Sequence, residues 1–304
     1  MGADVAFPHL GIYIPEVSKG IEIGGFSIAF YGMIIAFGMI MGIVMARWSA
    51  RRTGQNPELY MDYAIWGILF ALVGARVYYV AFSWDSYKDD LIQVFNIRGG
   101  GMAIYGGVIA AVLTAAIFCK RRKYNFLLFT DTATTGLILG QIIGRWGNFM
   151  NKEAFGEYTD SLFAMRLKVS QVNPASITET MRANIQRIDA VDYIQVHPTF
   201  LYESVWNLVV LIIMIATTKK KKFHGQIFLT YIIGYGLGRV WIEGLRTDQL
   251  QIGASGIAVS QVLSAVLVLV GIVLCFVFKK KFPVGVEKKV QESENKEENP
   301  ESDN

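Results

Sequence analysis

The chain has 304 residues, of which 53% are apolar and only 18% charged. Soluble domains carry about 25% charged residues, so the composition argues against a soluble two-domain enzyme and for a chain with much apolar surface in lipid. The net charge of +4 is uneven: residues 285–304 hold seven acids and three lysines, leaving the rest of the chain at +8.

Residues 1–25 lack a basic start and contain Asp4, Glu16 and Glu22, so they read as an outer N-terminal segment rather than a signal peptide. A helix needs roughly 20 apolar residues to cross a bilayer. Seven stretches qualify, at about 26–46, 60–83, 102–119, 126–144, 199–218, 225–245 and 257–278. The expected fold is therefore an all-α integral membrane protein with seven transmembrane helices. Residues 26–144 supply spans one to four and residues 199–278 supply spans five to seven. The loop 145–198 between them is long and polar, room for a small head. Residues 279–304 read as a basic, then acidic, disordered tail. Cys119 and Cys275 lie in or beside apolar runs and form neither a disulfide framework nor a metal pattern.

Lysine and arginine in the short loops orient the chain. Arg47, Arg51 and Arg52 follow the first span, and residues 120–123 follow the third. Residues 219–222 follow the fifth, and residues 279–281 the seventh. The loops after the second and sixth spans carry only Lys88, Arg98 and Arg246. This alternation places the N-terminus outside, the C-terminus in the cytosol and the 145–198 head on the extracytoplasmic side. It also assigns the positive charge to membrane topology and away from nucleic acid.

Charged residues interrupt several spans: Arg76, Asp131, Glu203, Arg239 and Glu243. Each costs about 2.5–3.5 kcal/mol on insertion scales, so each must face the bundle, a partner or a polar cavity. Internal ion pairs, such as Arg76 with Glu203, are one reading. A functional site is the other. In the orientation above, Tyr31, Arg76, Tyr105, Arg145, Glu203, Arg239 and Glu243 all fall in the outer half of the membrane, with only Asp131 at the cytosolic end. Such a layer suits a site open to the outer leaflet and suits a through-channel poorly. Tyr235, Arg239 and Glu243 step by four and share one helical face. The glycines at 136, 140 and 144, and at 234, 236 and 238, read as packing seams.

The densest polar run, Gly144 to Glu153 followed by Gly156, lies where the fourth span meets the outer interface. A guanidinium is a planar fork suited to phosphate, and Arg145 and Arg239 on separate helices could clamp one anionic headgroup. Asn148, Asn151 and Glu153 add neutral and acidic partners beside it. His197 could act as a base or serve structure, and a metal site is not expected, because His9 and His224 lack ligand company. Gly253-Ala254-Ser255-Gly256 fits a GxSG motif, but no histidine follows residue 224, so the nucleophile would have no base.

Gly-Arg-Trp-Gly-Asn-Phe-Met-Asn-Lys-Glu-Ala-Phe-Gly at 144–156 resembles the signature of bacterial prolipoprotein diacylglyceryl transferases. His-Pro-Thr-Phe-Leu-Tyr-Glu at 197–203 and the run 236–248 resemble two further segments of that family, and 30–32 and 74–80 also fit. The resemblance implies a seven-span enzyme of the bacterial cytoplasmic membrane. Such an enzyme moves the diacylglyceryl group of phosphatidylglycerol to the lipobox cysteine thiol of a preprolipoprotein. Its signal peptide and the bilayer are the implied partners, and no cofactor or metal is implied.

Carried over by position, Arg145 and Arg239 would hold the phosphate. Asn148, Glu153 and Gly156 would shape the site, and Tyr31, Tyr235 and Glu243 would surround it. Some members carry His-Gly-Gly in the third span, where this chain has Tyr105-Gly106-Gly107. Tyr105 would then orient or relay the proton while the arginines supply most of the stabilisation. Glu203, Glu243 and His197 remain alternative acceptors. The competing functions are another phospholipid-using membrane transferase and, behind it, a transporter.

Overall fold

A computed structural model describes residues 3–97, 100–252 and 256–284. Arg98, Gly253-Ala254-Ser255 and the acidic tail from 285 onward lie outside the described residues. The chain divides into two compact units, Met1–Gly42 with Thr134–Asn304, and Ile43–Ala133.

The described elements follow in chain order. Strands β1 (Val5–Phe7), β2 (Ile12–Ile14), β3 (Gly20–Ile23) and β4 (Phe26–Ala29) precede helices α1 (Phe30–Arg52), α2 (Glu58–Phe82), α3 (Ile104–Arg121) and α4 (Phe126–Asn151). Then come β5 (Met165–Lys168), the short α5 (Glu179–Ala183), β6 (Gln186–Ile188) and β7 (Val191–Val196). Helices α6 (Thr199–Thr218), α7 (Gln226–Glu243) and α8 (Val259–Lys281) close the chain. Six of the helices, all the long ones except α7, are long and apolar enough to cross a membrane. The multi-pass part of the fold is therefore all-α. Its surface is inverted relative to a soluble protein: Phe37, Leu69, Phe70, Val112, Ile212 and Phe276 are exposed, whereas Thr135, Ser204 and Asn207 are buried.

In the larger unit a five-stranded antiparallel sheet runs in the order β2-β1-β5-β7-β6. Its core holds Val5, Leu167, Met181, Ile194 and Val196, joined by Phe155 and Phe200. The alternation of the 145–198 loop was too weak to reveal these strands, each three to six residues long. The N-terminal segment enters this sheet, because Val5 and Ala6 on β1 pair with Leu167 and Arg166 on β5. Asp4 secures that junction. It accepts from Lys168 Nζ at 2.7 Å, Gln171 Nε2 at 3.0 Å and the Val17 amide at 3.0 Å. Burial pushes its carboxyl upward, but these donors outweigh burial and bring it down to about 2.

Two boundaries differ from the sequence expectation. Phe26–Ala29 pairs with Gly20–Ile23 as a hairpin, so α1 starts at Phe30 and Tyr31 is its second residue. The fourth helix continues past 144 to Asn151. No proline or left-handed residue interrupts it until Lys152, whose φ is 54°. Arg145, Asn148 and Asn151 therefore sit three apart on one helical stripe. The expected glycine seam is present: a Cβ on Gly42 would lie 2.8 Å from the Gly136 carbonyl oxygen, and one on Gly38 3.2 Å from that of Gly140. Contact this close between α1 and α4 requires glycine.

In the smaller unit, α2 packs along α3. Tyr60 stacks on Phe129 with centroids 5.1 Å apart, beside Ala46, Ala50, Ala115 and Cys119. Gln55 ties this cluster together, donating to Thr132 at 2.8 Å and accepting from the hydroxyls of Tyr124 and Tyr60.

Candidate active site

Glu203 is the hinge of the larger unit's polar cluster. It sits in the second turn of α6, with its side chain only 3% exposed. Arg145 from α4 reaches its Oε2 at 2.7 Å, and Arg239 from α7 reaches its Oε1 at 3.1 Å. Two guanidiniums from different helices thus share one carboxylate. Within this unit the partners of Glu203 are Arg145 and Arg239.

The network extends in both directions. Arg239 pairs with Glu243 one turn along α7, and Arg246 Nη1 lies 3.8 Å from the same carboxylate. Arg246 also grips Asp248 with two bonds of 2.9 Å. Burial opposes the charge on Arg246, but Asp248, Glu243 and Glu203 raise its pKa above the usual value. On the other side Arg145 donates to Asn148 Oδ1 at 3.4 Å, and Asn148 Nδ2 donates to Glu153 at 3.0 Å. The result is a line of alternating charge from Glu153 to Asp248 with Arg145, Arg239 and Arg246 along it. Arg246 and Asp248 were not singled out from the sequence as site residues. The spacing of Arg246 three residues after Glu243 was the available signal.

Backbone around the cluster is closely joined. Gly156 donates its amide to the His197 carbonyl at 2.9 Å and bridges Arg246. A Cβ there would sit 2.8 Å from both the Leu245 carbonyl oxygen and His197 Cβ, so only glycine lets these three segments meet. Tyr31 lies over Gly147, where a Cβ would come within 2.8 Å of its ring. Tyr235 stacks on Tyr231 at 5.6 Å, one turn before Arg239 on the same helix. His197 faces the Tyr202 hydroxyl at 3.3 Å. Burial lowers its pKa, only partly opposed by Glu157, which favours the neutral ring. Asn151 lines a polar cleft with Asn148 and Glu153.

Two expected site residues belong to the smaller unit. Tyr105 is the second residue of α3 and is 46% exposed. Arg76, expected beside the headgroup, is buried in α2 with its guanidinium turned to main-chain carbonyls. Nε donates to the Val94 carbonyl, Nη1 to those of Gly100 and Gly101, and Nη2 to those of Gln93 and Asn96, at 2.6–3.0 Å. A guanidinium has five N–H donors, and all five are spent on the loop before α3. The ring of Tyr87 lies under the same guanidinium at 5.1 Å. None of its hydrogens is left for a phosphate. Gly100 and Gly101 have φ of 88° and 76°, conformations that let the loop turn its carbonyls toward Arg76.

The cluster thus joins half-buried, paired arginines to the 144–156 stretch. A family model for prolipoprotein diacylglyceryl transferase matches residues 19–277, which contain every site residue above. The chain belongs to this family. It is 41% identical over 261 residues to the phosphatidylglycerol–prolipoprotein diacylglyceryl transferase of Finegoldia magna, covering 86% of this chain and 95% of that one. Proteins of the same name from Bacillus mycoides and Bacillus cereus are 39% and 40% identical over 268 residues, 88% of this chain and 94% of theirs. Membership and the membrane-crossing helices together make it a multi-pass protein of the bacterial cell membrane. Among the described residues no cluster of His, Cys, Asp and Glu suited to a metal ion occurs.

Proposed function

We propose that the chain transfers the diacylglyceryl group of phosphatidylglycerol to the thiol of the lipobox cysteine in a preprolipoprotein. The carrying observation is the convergence of Arg145 and Arg239, from separate helices, on one buried carboxylate. Glu203 holds the two forks at a spacing that one phosphate can bridge. The lipid phosphate exchanges into that position, and Glu243 keeps Arg239 aimed. Asn148, Asn151, Glu153 and Gly156 border the headgroup, and Tyr31 and Tyr235 pack around it.

The cysteine thiol loses its proton, and the thiolate attacks the glyceryl carbon that carries the phosphate ester. That carbon–oxygen bond breaks, a thioether forms, and glycerol phosphate leaves with the electron pair. Cations favour a thiolate, and the same cations stabilise the charge growing on the departing phosphate. Tyr105 orients or relays the thiol proton. Neutral His197 and the carboxylates of Glu203 and Glu243 are the other acceptors within the cluster. Tyr105→Phe is expected to lower transfer about tenfold or more, and full activity of this variant at every pH would remove the phenol from the proton step.

Seven spans complete the architecture. With 18 residues α7 rises about 27 Å, close to the hydrocarbon thickness, and the pairing of Arg239 and Glu243 reduces the cost of burying them. The lysine and arginine bias then puts the N-terminus and the β-sheet head, built from the N-terminal segment and residues 145–198, outside the cell. It puts the C-terminal tail in the cytosol. The test is purified protein with phosphatidylglycerol and a lipobox peptide. Mass spectrometry should find a diacylglyceryl shift on the cysteine and none on a Cys→Ser peptide. Transfer to a small alcohol in preference to the thiol would point to a different phospholipid-using transferase.

A further inference from the structure

One large cavity lies beside the charged line. It has a volume of about 820 Å³ and is bounded by the 16–19 coil, the turn after α4, residues 170–176 of the head, and Arg246 with Asp248. Asn148 and Arg246 belong both to its wall and to the line, Asn148 accepting from Arg145 and Arg246 lying 3.8 Å from Glu243. The cavity therefore opens on the place where the transferred group would be held.

Its chemistry narrows the occupant. Fourteen of its eighteen lining residues are polar, which does not suit acyl chains or an apolar signal helix. Four acids (Asp4, Glu16, Glu153, Asp248) face three bases (Lys19, Lys152, Arg246), so the wall does not favour a second phosphate. Volumes of about 300–1,000 Å³ hold drug-sized ligands, whereas a glycerol headgroup has six heavy atoms and would leave most of the space empty. A short extended peptide, rising about 3.3 Å per residue, fills it.

The turn after α4 is rigidly held for such a role. Lys152 and Ala154 are left-handed without being glycine, with φ of 54° and 56°, a conformation that persists where surroundings over-determine it. Lys152 Nζ is buried and donates to the Val17 carbonyl at 2.6 Å, and Thr199 holds the Ala154 carbonyl. Between them Glu153 is presented, exposed, at the cavity wall.

We infer that this cleft binds, in extended form, the polar residues that follow the acceptor cysteine. The inference rests on the proposed acceptor being a peptide thiol. The cleft would hold the chain beyond the cysteine while the thiol reaches the arginines. It thereby makes the first residues of the mature lipoprotein part of what is recognised.

The test uses full-length protein in nanodiscs containing phosphatidylglycerol and two lipobox peptides. One peptide ends directly after the cysteine, and the other continues for several polar residues. The longer peptide should show a KM lower by about tenfold, a difference of about 1.4 kcal/mol. Ser170→Trp or Asn173→Trp, exposed wall residues outside the charged line, should raise the longer peptide's KM to that of the shorter. Both should leave kcat, the KM for the short peptide and the KM for phosphatidylglycerol unchanged. Equal KM values for the two peptides with the wild-type protein would overturn the inference while leaving the transferase reading intact. A raised KM for phosphatidylglycerol in the Trp variants would overturn it in favour of a lipid headgroup in the cleft. No transfer to either peptide by the wild type would overturn the transferase reading and this inference with it.

Discussion

Arg76 and Arg239 look alike as sequence: each is a lone arginine inside an apolar helix. Their bonding separates them. Arg76 spends all five donors on backbone carbonyls of one loop, partners that cannot leave. Arg239 and Arg145 share Glu203, and an incoming phosphate can take over bonds of that kind. In the proposed site, an arginine on an apolar helix is a ligand candidate when its donors face an acid that a phosphate can replace. Counting donors tells the two cases apart where depth in the membrane does not. Asp4 is the mirror case in the head: a carboxylate spent on Lys168, Gln171 and a main-chain amide.

The largest effect that can break this contrast is in the charged line. Arg239→Ala and Arg145→Ala should each lower transfer on the order of 100- to 1,000-fold while the protein remains folded and inserted. Near-normal transfer by either variant in a reconstituted assay would refute the clamp. Arg76→Lys probes the other arm. Lysine has three donors in place of five, leaving two carbonyls without a partner at about 1–3 kcal/mol each. This variant should melt at a lower temperature in detergent and expose the 83–103 loop to protease. The protein that stays folded should keep most of its affinity for phosphatidylglycerol, and a selective loss of that affinity would return Arg76 to the headgroup.

Asp4 gives the smallest effect and a pH signature. Its folded pKa, about 2, lies below the ordinary 3.8. The stabilisation it supplies is therefore complete above pH 3.8 and lost as pH falls through about 2. Asp4→Asn should loosen the β1–β5 pairing at neutral pH and flatten the acid dependence between pH 4 and 2. Hydrogen exchange of the Val5 and Leu167 amides would read it, and an unchanged acid profile would show that the carboxylate is not what ties the N-terminal segment to the head.

Much of the membrane part was legible because its signal is local. A run of about twenty apolar residues is a helix in lipid whatever surrounds it, and each expected span has a helix at its place. The i, i+4 step from Arg239 to Glu243 is equally local and is realised as an ion pair. The head was not legible as a sheet, because strands of three to six residues carry too few alternations to stand out. The pairing of β1 with β5 joins segments about 160 residues apart. The end of α4 was misplaced because Arg145, Asn148 and Asn151 interrupt the apolar run, although polar residues do not by themselves stop a helix.

The amino-acid sequence by itself determined the membrane class, the positions of the helices and the short list of charged residues that lipid cannot tolerate alone. It did so because burial of charge and apolar length are properties of the residues themselves. Which charge meets which was decided only by the tertiary structure. Glu203 could have faced Arg76, Arg145 or Arg239, and the packing of α4, α6 and α7 brought the last two to it. Partner choice depends on three-dimensional proximity, since an electrostatic contact in a low-dielectric interior is strong only over a few ångströms of well-aimed geometry.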